Sequence, residues 1–187
     1  PETSDQNLTQ LVRDAVFLQQ AGQPEVKIVS DLPDAPVVAE IDATMMSQAL
    51  TNLIINWSQT QVHPTVAKLC LLDIHSGLAP VDQAFFRETR EKLYGMTLED
   101  FDAQQSKSNE GLVSALLPLE LMLKQQPFIG GNCPLFADYV VFGPLQWLRT
   151  STTKDVMPKD SRVAEWFDRL LDMHEGLGRN AHIKFAA

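Results

Sequence analysis

Residues Gln126–Thr150 read QPFIGGNCPLFADYVVFGPLQWLRT, and the fold turns on how this stretch is read. It opens on the clearest break in the chain, where Pro127, Gly130, Gly131, Asn132 and Pro134 crowd together. Such a run stops a helix, because glycine leaves φ unrestrained and proline has no amide proton to donate. Beyond the break, Ala137, Val140, Val141, Pro144, Leu145 and Leu148 share one helical face. A face that apolar predicts a helix at the centre of a bundle.

Working outward, Val163, Trp166, Phe167, Leu170, Leu171 and His174 recur at helical spacing and predict a last amphipathic helix. On the other side, His63 to His75 carries an apolar face of Val66, Leu69, Cys70 and Ile74, and another helix is expected from Val81 to Tyr94. Thr97 with Asp100 reads as a capping box opening the next helix, whose predicted core stripe is Val113, Leu116, Leu117 and Leu121. Five helices in succession with no strand predict an all-α bundle. Residues 1–60 differ. They hold 2 of the 15 basic and 8 of the 24 acidic residues, and only Phe17 and Trp57 of the aromatic ones. A helix is expected over Leu8, Leu11, Val12, Ala15 and Val16, capped by Asn7 or Asp5 and stopped by Gly22. Val26 to Leu32 and Val37 to Ile41 alternate as strands do. Asp42 then stands where it can cap a helix with the stripe Met46, Ala49, Leu50, Leu53, Ile54 and Trp57. The expected fold is therefore mainly α, a helical bundle preceded by a short α-β-β-α segment.

Composition narrows the function classes. A net charge of −9 and a pI near 4.8 repel duplex nucleic acid and anionic membranes, so neither is expected as a partner. Apolar runs such as Leu69–Leu72 and Tyr139–Phe142 are far too short to span a bilayer, and the polar, acidic start at Pro1 to Asn7 does not resemble a secretory leader. The expected location is a reducing cytoplasm. Cys70 and Cys133 are too few for a disulfide framework or a structural zinc site, and no His or Cys pair stands at i, i+4, so no metal site is expected. Cys70 falls on a predicted core face, whereas Cys133 stands near a helix start. Asp73 and His75 lie on different faces, Arg87 and Arg90 belong to a solvated charged face beside Glu88 and Glu91, and Gly130-Gly131 reads as a turn. No catalytic residue is assigned.

The stretch Trp57 to Arg179 resembles the C-terminal helical domain of the glutathione transferases, in particular the bacterial group that includes the β-aryl ether-cleaving enzymes. The resemblance is carried by QVHPTVAKLCLLDIHSGLAPVDQAFFRETREKLYGMTLED, by QPFIGGNCPLFADYVVFGPLQWLRT and by VAEWFDRLLDMHEGLGR. It implies a domain, residues 57–187, that shapes a pocket for a hydrophobic small molecule and contributes to a dimer interface. Side chains near Phe85, Phe86, Tyr94 and Trp147 are the expected pocket wall. It also implies a structural cap at Asp138, although Leu135 stands where the family has a hydroxyl residue. Glutathione would require a thioredoxin-like partner domain, since its binding parts find no place in residues 1–60, and independent catalysis is not expected.

Residues 7–56 are similar to the start of the ATP-binding domain of sensor histidine kinases of the nitrogen-regulation type. QALTNLIIN resembles their N-box, which implies Asn56 as a magnesium ligand and Asn52 as a nucleotide contact one turn earlier. Trp57 replaces the small residue that usually follows, and no D-x-G-x-G stands downstream. Residues 1–56 are therefore expected to be a truncated kinase-like segment. One continuous helix, kinked at Pro64, is expected to join the two parts. A natural fusion, a truncation and an artefactual join all remain open. So do the alternative functions of a kinase ATP-domain remnant and a non-catalytic interaction or dimerisation module.

Overall fold

The computed structural model describes residues 3–10, 13 and 35–182. Strand β1, Thr3–Asn7, pairs antiparallel with β2, Val38–Asp42, with Thr3 opposite Asp42 and Asn7 opposite Val38. The ribbon closes through Leu8 N–H donating to Val37 C=O at 2.8 Å and Val37 N–H donating to Thr9 Oγ1 at 2.9 Å. Nothing in TSDQN signals a strand, because its pairing rests on backbone groups and not on an apolar face. Asn7 Oδ1 accepts Gln10 N–H at 3.1 Å, as an N-cap does. The strand expected over Val26 to Leu32, most of the helix expected over Leu8 to Val16 and its stop at Gly22 lie outside the described residues. The side chain of Asp42, at the end of β2, lies outside them too.

Helix α1, Ala43–Trp57, runs through a π-helical turn, Ser58–Val62, into α2, His63–Ser76. His63 N–H reaches back five residues to Ser58 C=O. Pro64 explains the wide turn: it donates no amide proton, and its ring would crowd the carbonyl four residues earlier. The helix is thus continuous, with its irregularity just ahead of the proline. Helices α3 (Pro80–Tyr94), α4 (Leu98–Ala103), α5 (Gln105–Met122), α6 (Phe136–Ser151) and α7 (Arg162–Gly176) follow. Gly95 ends α3 at φ +68°, a conformation costly for any side-chain-bearing residue. Thr97 Oγ1 accepts Asp100 N–H at 3.1 Å and opens α4. The single helix expected from there is split at Gln104, whose φ of −96° and ψ of 18° leave helical geometry.

Helix α6 lies at the centre, with Val141, Leu145 and Leu148 fully buried. Around it pack Val62, Val66 and Cys70, Leu112, Leu116 and Leu119 of α5, and Val163, Trp166 and Phe167 of α7. Ile54 and Trp57 of α1 join the same core. A second, smaller cluster holds Leu71, Leu98 and Phe101, flanked by Phe86, Tyr94 and Met96. Three expected stripes shift. On α5 the buried face is Leu112, Leu116 and Leu119, continued by Leu123 just past the helix end, so Leu116 is inside as expected while Val113 and Leu117 are exposed. On α1, Ala49 and Leu53 are exposed, Met46 and Leu50 half-buried, and Ile54 and Trp57 enter the core. On α7, regular geometry fails at Met173, and His174 and Glu175 take positive φ, so His174 leaves the apolar face.

A buried serine repairs the centre. Pro144 sits inside α6, so the Val140 carbonyl one turn earlier loses its helical donor. Ser58, fully buried in the π-helical turn, donates its hydroxyl to that carbonyl at 3.3 Å. The local defect in α6 is thereby satisfied from another element.

Candidate functional site

Asp138 is fully buried at the start of α6 and gathers four N–H donors. Its Oδ1 accepts from Ile129 N–H at 2.7 Å and Trp166 Nε1 at 2.8 Å, and its Oδ2 from Leu135 N–H at 2.9 Å and Gly130 N–H at 3.0 Å. A carboxylate has about four lone-pair sites, so this acceptor is filled. Leu135 offers no side-chain cap; its carbonyl takes Asp138 N–H at 3.0 Å instead. Gly130 has to be glycine here, for a Cβ would fall 2.5 Å from Leu135 Cγ and 2.7 Å from Cys133 C=O. With every lone pair engaged and no solvent access, Asp138 organises structure and has no capacity left for a substrate. Sequence reasoning missed Trp166 as a partner: its place on an apolar stripe told of burial, while the need of its indole N–H for an acceptor was the available signal.

Two ionic clusters fix the surrounding elements. Asp73 on α2 accepts from the buried Thr152 hydroxyl and from Lys154 Nζ at 3.2 Å, and Lys154 also pairs with Asp102 on α4. Burial pulls the Lys154 ammonium down, but Asp102 and Asp73 together hold it above the ordinary lysine range. Burial, aided by the negative charge of Asp73, pushes the nearby Cys70 thiol up to about 12. Arg87 on α3 grips Glu99 with two hydrogen bonds of 2.8 Å and Glu91 with one of 2.9 Å. Glu91 in turn accepts Leu98 N–H at 3.1 Å, tying α3 to the start of α4. The guanidinium holds the Glu99 carboxyl at about 2.

The candidate pocket residues fall in different places. Phe86 and Tyr94 flank the smaller cluster, Tyr94 edge-on to Phe101 at 5.3 Å and Phe86 beneath the Arg90 guanidinium at 5.1 Å. Phe85 projects into solvent with 71% of its surface exposed. Trp147 packs against the main core and stacks on His63 at 5.2 Å. The structure thus brings Phe86 and Tyr94 together and leaves Trp147 in the other cluster. Asn52 and Asn56 are both exposed, one turn apart on α1. Cys70 is buried, Cys133 exposed, and both are free thiols. Tyr139 OH lies 3.0 Å from His174 Nε2. Among the described residues no group of three His, Cys, Asp or Glu side chains is placed to hold a metal, and no helix is long and apolar enough to cross a membrane.

A cleft of about 220 Å³ opens between α2, α4 and the first turns of α5, lined by Thr65, Lys68, Phe101, Lys107 and Ser108 among others. None of these residues stands out in the sequence, because they come together only when α4 and α5 fold back on α2.

Residues 49–173 match the family described as the glutathione S-transferase C-terminal domain. A second similarity is to the nitrogen regulation protein NtrY of Azorhizobium caulinodans, 39% identical over 56 residues. That match takes in 30% of this chain, and the chain spans only 7% of the length of that curated relative.

Proposed function

The chain belongs to the glutathione S-transferase C-terminal domain family, and from that premise we propose that it serves as the helical half of a glutathione-dependent system, forming the wall for a hydrophobic co-substrate and contacts to a partner. The carrying observation is the state of α3. None of its residues is buried, and Val81 (81%), Phe85 (71%) and Leu93 (68%) turn apolar surface to solvent. An apolar helix face of that kind favours an apolar ligand or a second protein surface. Phe85, Phe86 and Tyr94 form the wall in this reading, and Trp147 serves the core.

The thiolate-stabilising groups come from a thioredoxin-like domain, the co-substrate is an aryl ether as in the β-aryl ether-cleaving group, and the chain alone is not a catalyst. Two free thiols suit a reducing cytoplasm. Titration of the 187-residue chain with Nile red, a neutral apolar dye, tests the wall. Saturable binding weakened several-fold by Phe85→Ser or Phe86→Ser is expected; binding indifferent to both substitutions refutes it. Steady turnover of glutathione with an aryl ether by the chain alone refutes the need for a partner.

The NtrY similarity favours a second reading, in which residues 1–56 are a truncated ATP-domain segment and the exposed amides of Asn52 and Asn56 contact a nucleotide and magnesium. Mg-ATP then raises the melting temperature. A flat thermal titration removes this reading.

A further inference from the structure

We propose that the cleft between α2, α4 and α5 binds a small amphipathic organic anion, a phosphate or carboxylate joined to an apolar group. At about 220 Å³ it is smaller than the usual drug-sized pocket, which limits the ligand to roughly one ring and its acidic group. Lys68 comes from α2 and Lys107 from α5, so two lysines line the same concavity from different helices. Among the described residues no carboxylate lines it, although the chain as a whole carries a net charge of −9. The cleft therefore has the opposite sign to the rest of the surface and draws anions from solution.

Four other cations, Arg87, Lys154, Lys159 and Arg179, each sit on one or two carboxylates. Lys68 and Lys107 form no ion pair among the described residues, so an anion between them meets charge that no protein carboxylate has answered. The Thr65 hydroxyl is committed to Gln61 C=O at 2.8 Å and the Gln104 amide rests on the Met96 sulfur at 3.5 Å, which leaves the two lysines and Ser108 as the uncommitted polar side chains of the lining. Phe101, nearly buried, supplies an apolar floor with Met96 beside it. A bare inorganic ion leaves that floor wet, whereas a ring attached to the acid covers it.

Phenyl phosphate, benzoate and inorganic phosphate are the probes, titrated calorimetrically into the full 187-residue chain. One-to-one binding of phenyl phosphate or benzoate is expected, tighter than inorganic phosphate, and the stronger of the two assigns the acidic group. Lys68→Gln and Lys107→Gln each weaken it about fivefold, as befits exposed ion pairs, while Lys124→Gln, outside the cleft, has no effect. Both cleft variants keep the wild-type melting temperature. The proposal is overturned by the absence of saturable binding, by affinities indifferent to both cleft lysines, by an equal loss in Lys124→Gln, or by inorganic phosphate binding as tightly as phenyl phosphate. Nile red binding is read separately, so failure here leaves the co-substrate wall standing and the reverse.

Discussion

At Asp138 and Ser58 single side chains hold together pieces far apart in sequence. Truncating Asp138 to alanine strands three partly buried backbone amides and the fully buried Trp166 indole. Each stranded donor costs about 1–3 kcal/mol before relaxation, so Asp138→Ala is expected to lower stability by more than about 3 kcal/mol, read from the urea midpoint. Ser58→Ala leaves the Val140 carbonyl unpaired and should cost about 1–3 kcal/mol. Pro144→Ala restores a backbone donor for that carbonyl, so the serine substitution should cost less in that background. A double-mutant cycle measures the coupling, and strictly additive losses reject the pairing. The bond from Leu135 N–H to Asp138 spans three residues, a local relation that a sequence pattern can carry. Trp166 and Ser58 were not readable as partners, because each bond spans a sequence separation that periodicity does not register.

Among the elements, α3 is held to α4 in two ways: Phe86 and Tyr94 pack on Leu98 and Phe101, and Arg87 grips Glu99 and Glu91. The folded Glu99 carboxyl, held at about 2 by Arg87, lies below its ordinary value of 4.5. A depressed acid contributes stability above the ordinary value and loses it as pH falls toward about 2. Glu99→Gln should therefore lower the melting temperature at pH 7 and leave it unchanged near pH 2, as thermal scans at both values will show. The limits of α3 and the break at Pro127 to Pro134 were legible from glycine, proline and apolar spacing. The split between α4 and α5 was not, since Gln104 is an ordinary helix residue. On α5 the expected stripe holds at Leu116 and fails at Val113 and Leu117, which are exposed.

For the molecule as a whole, burial is uneven: α6 buries Ala137, Asp138, Val141, Leu145, Leu148 and Ser151, whereas α3 buries no residue and only half-covers Phe86 and Tyr94. Amide hydrogen exchange should follow that gradient, with α3 exchanging fastest of the helices and α6 protected nearly to the global unfolding limit. Equal protection of the two helices would contradict this difference in packing. The helical run from Ala43 to Ser76 crosses the point where composition changes, and Ile54 and Trp57 share one core with α6. By itself the sequence determined the helical class, the central place of α6 and the stop ahead of it, because helix periodicity and chain-breaking residues act over a few positions. Only the tertiary structure decided that Trp166 and three amides meet on Asp138, that β1 pairs with β2, and that Lys68 and Lys107 face one cleft. Those relations depend on elements distant in the chain coming within hydrogen-bond or ion-pair range, and no local pattern encodes that distance.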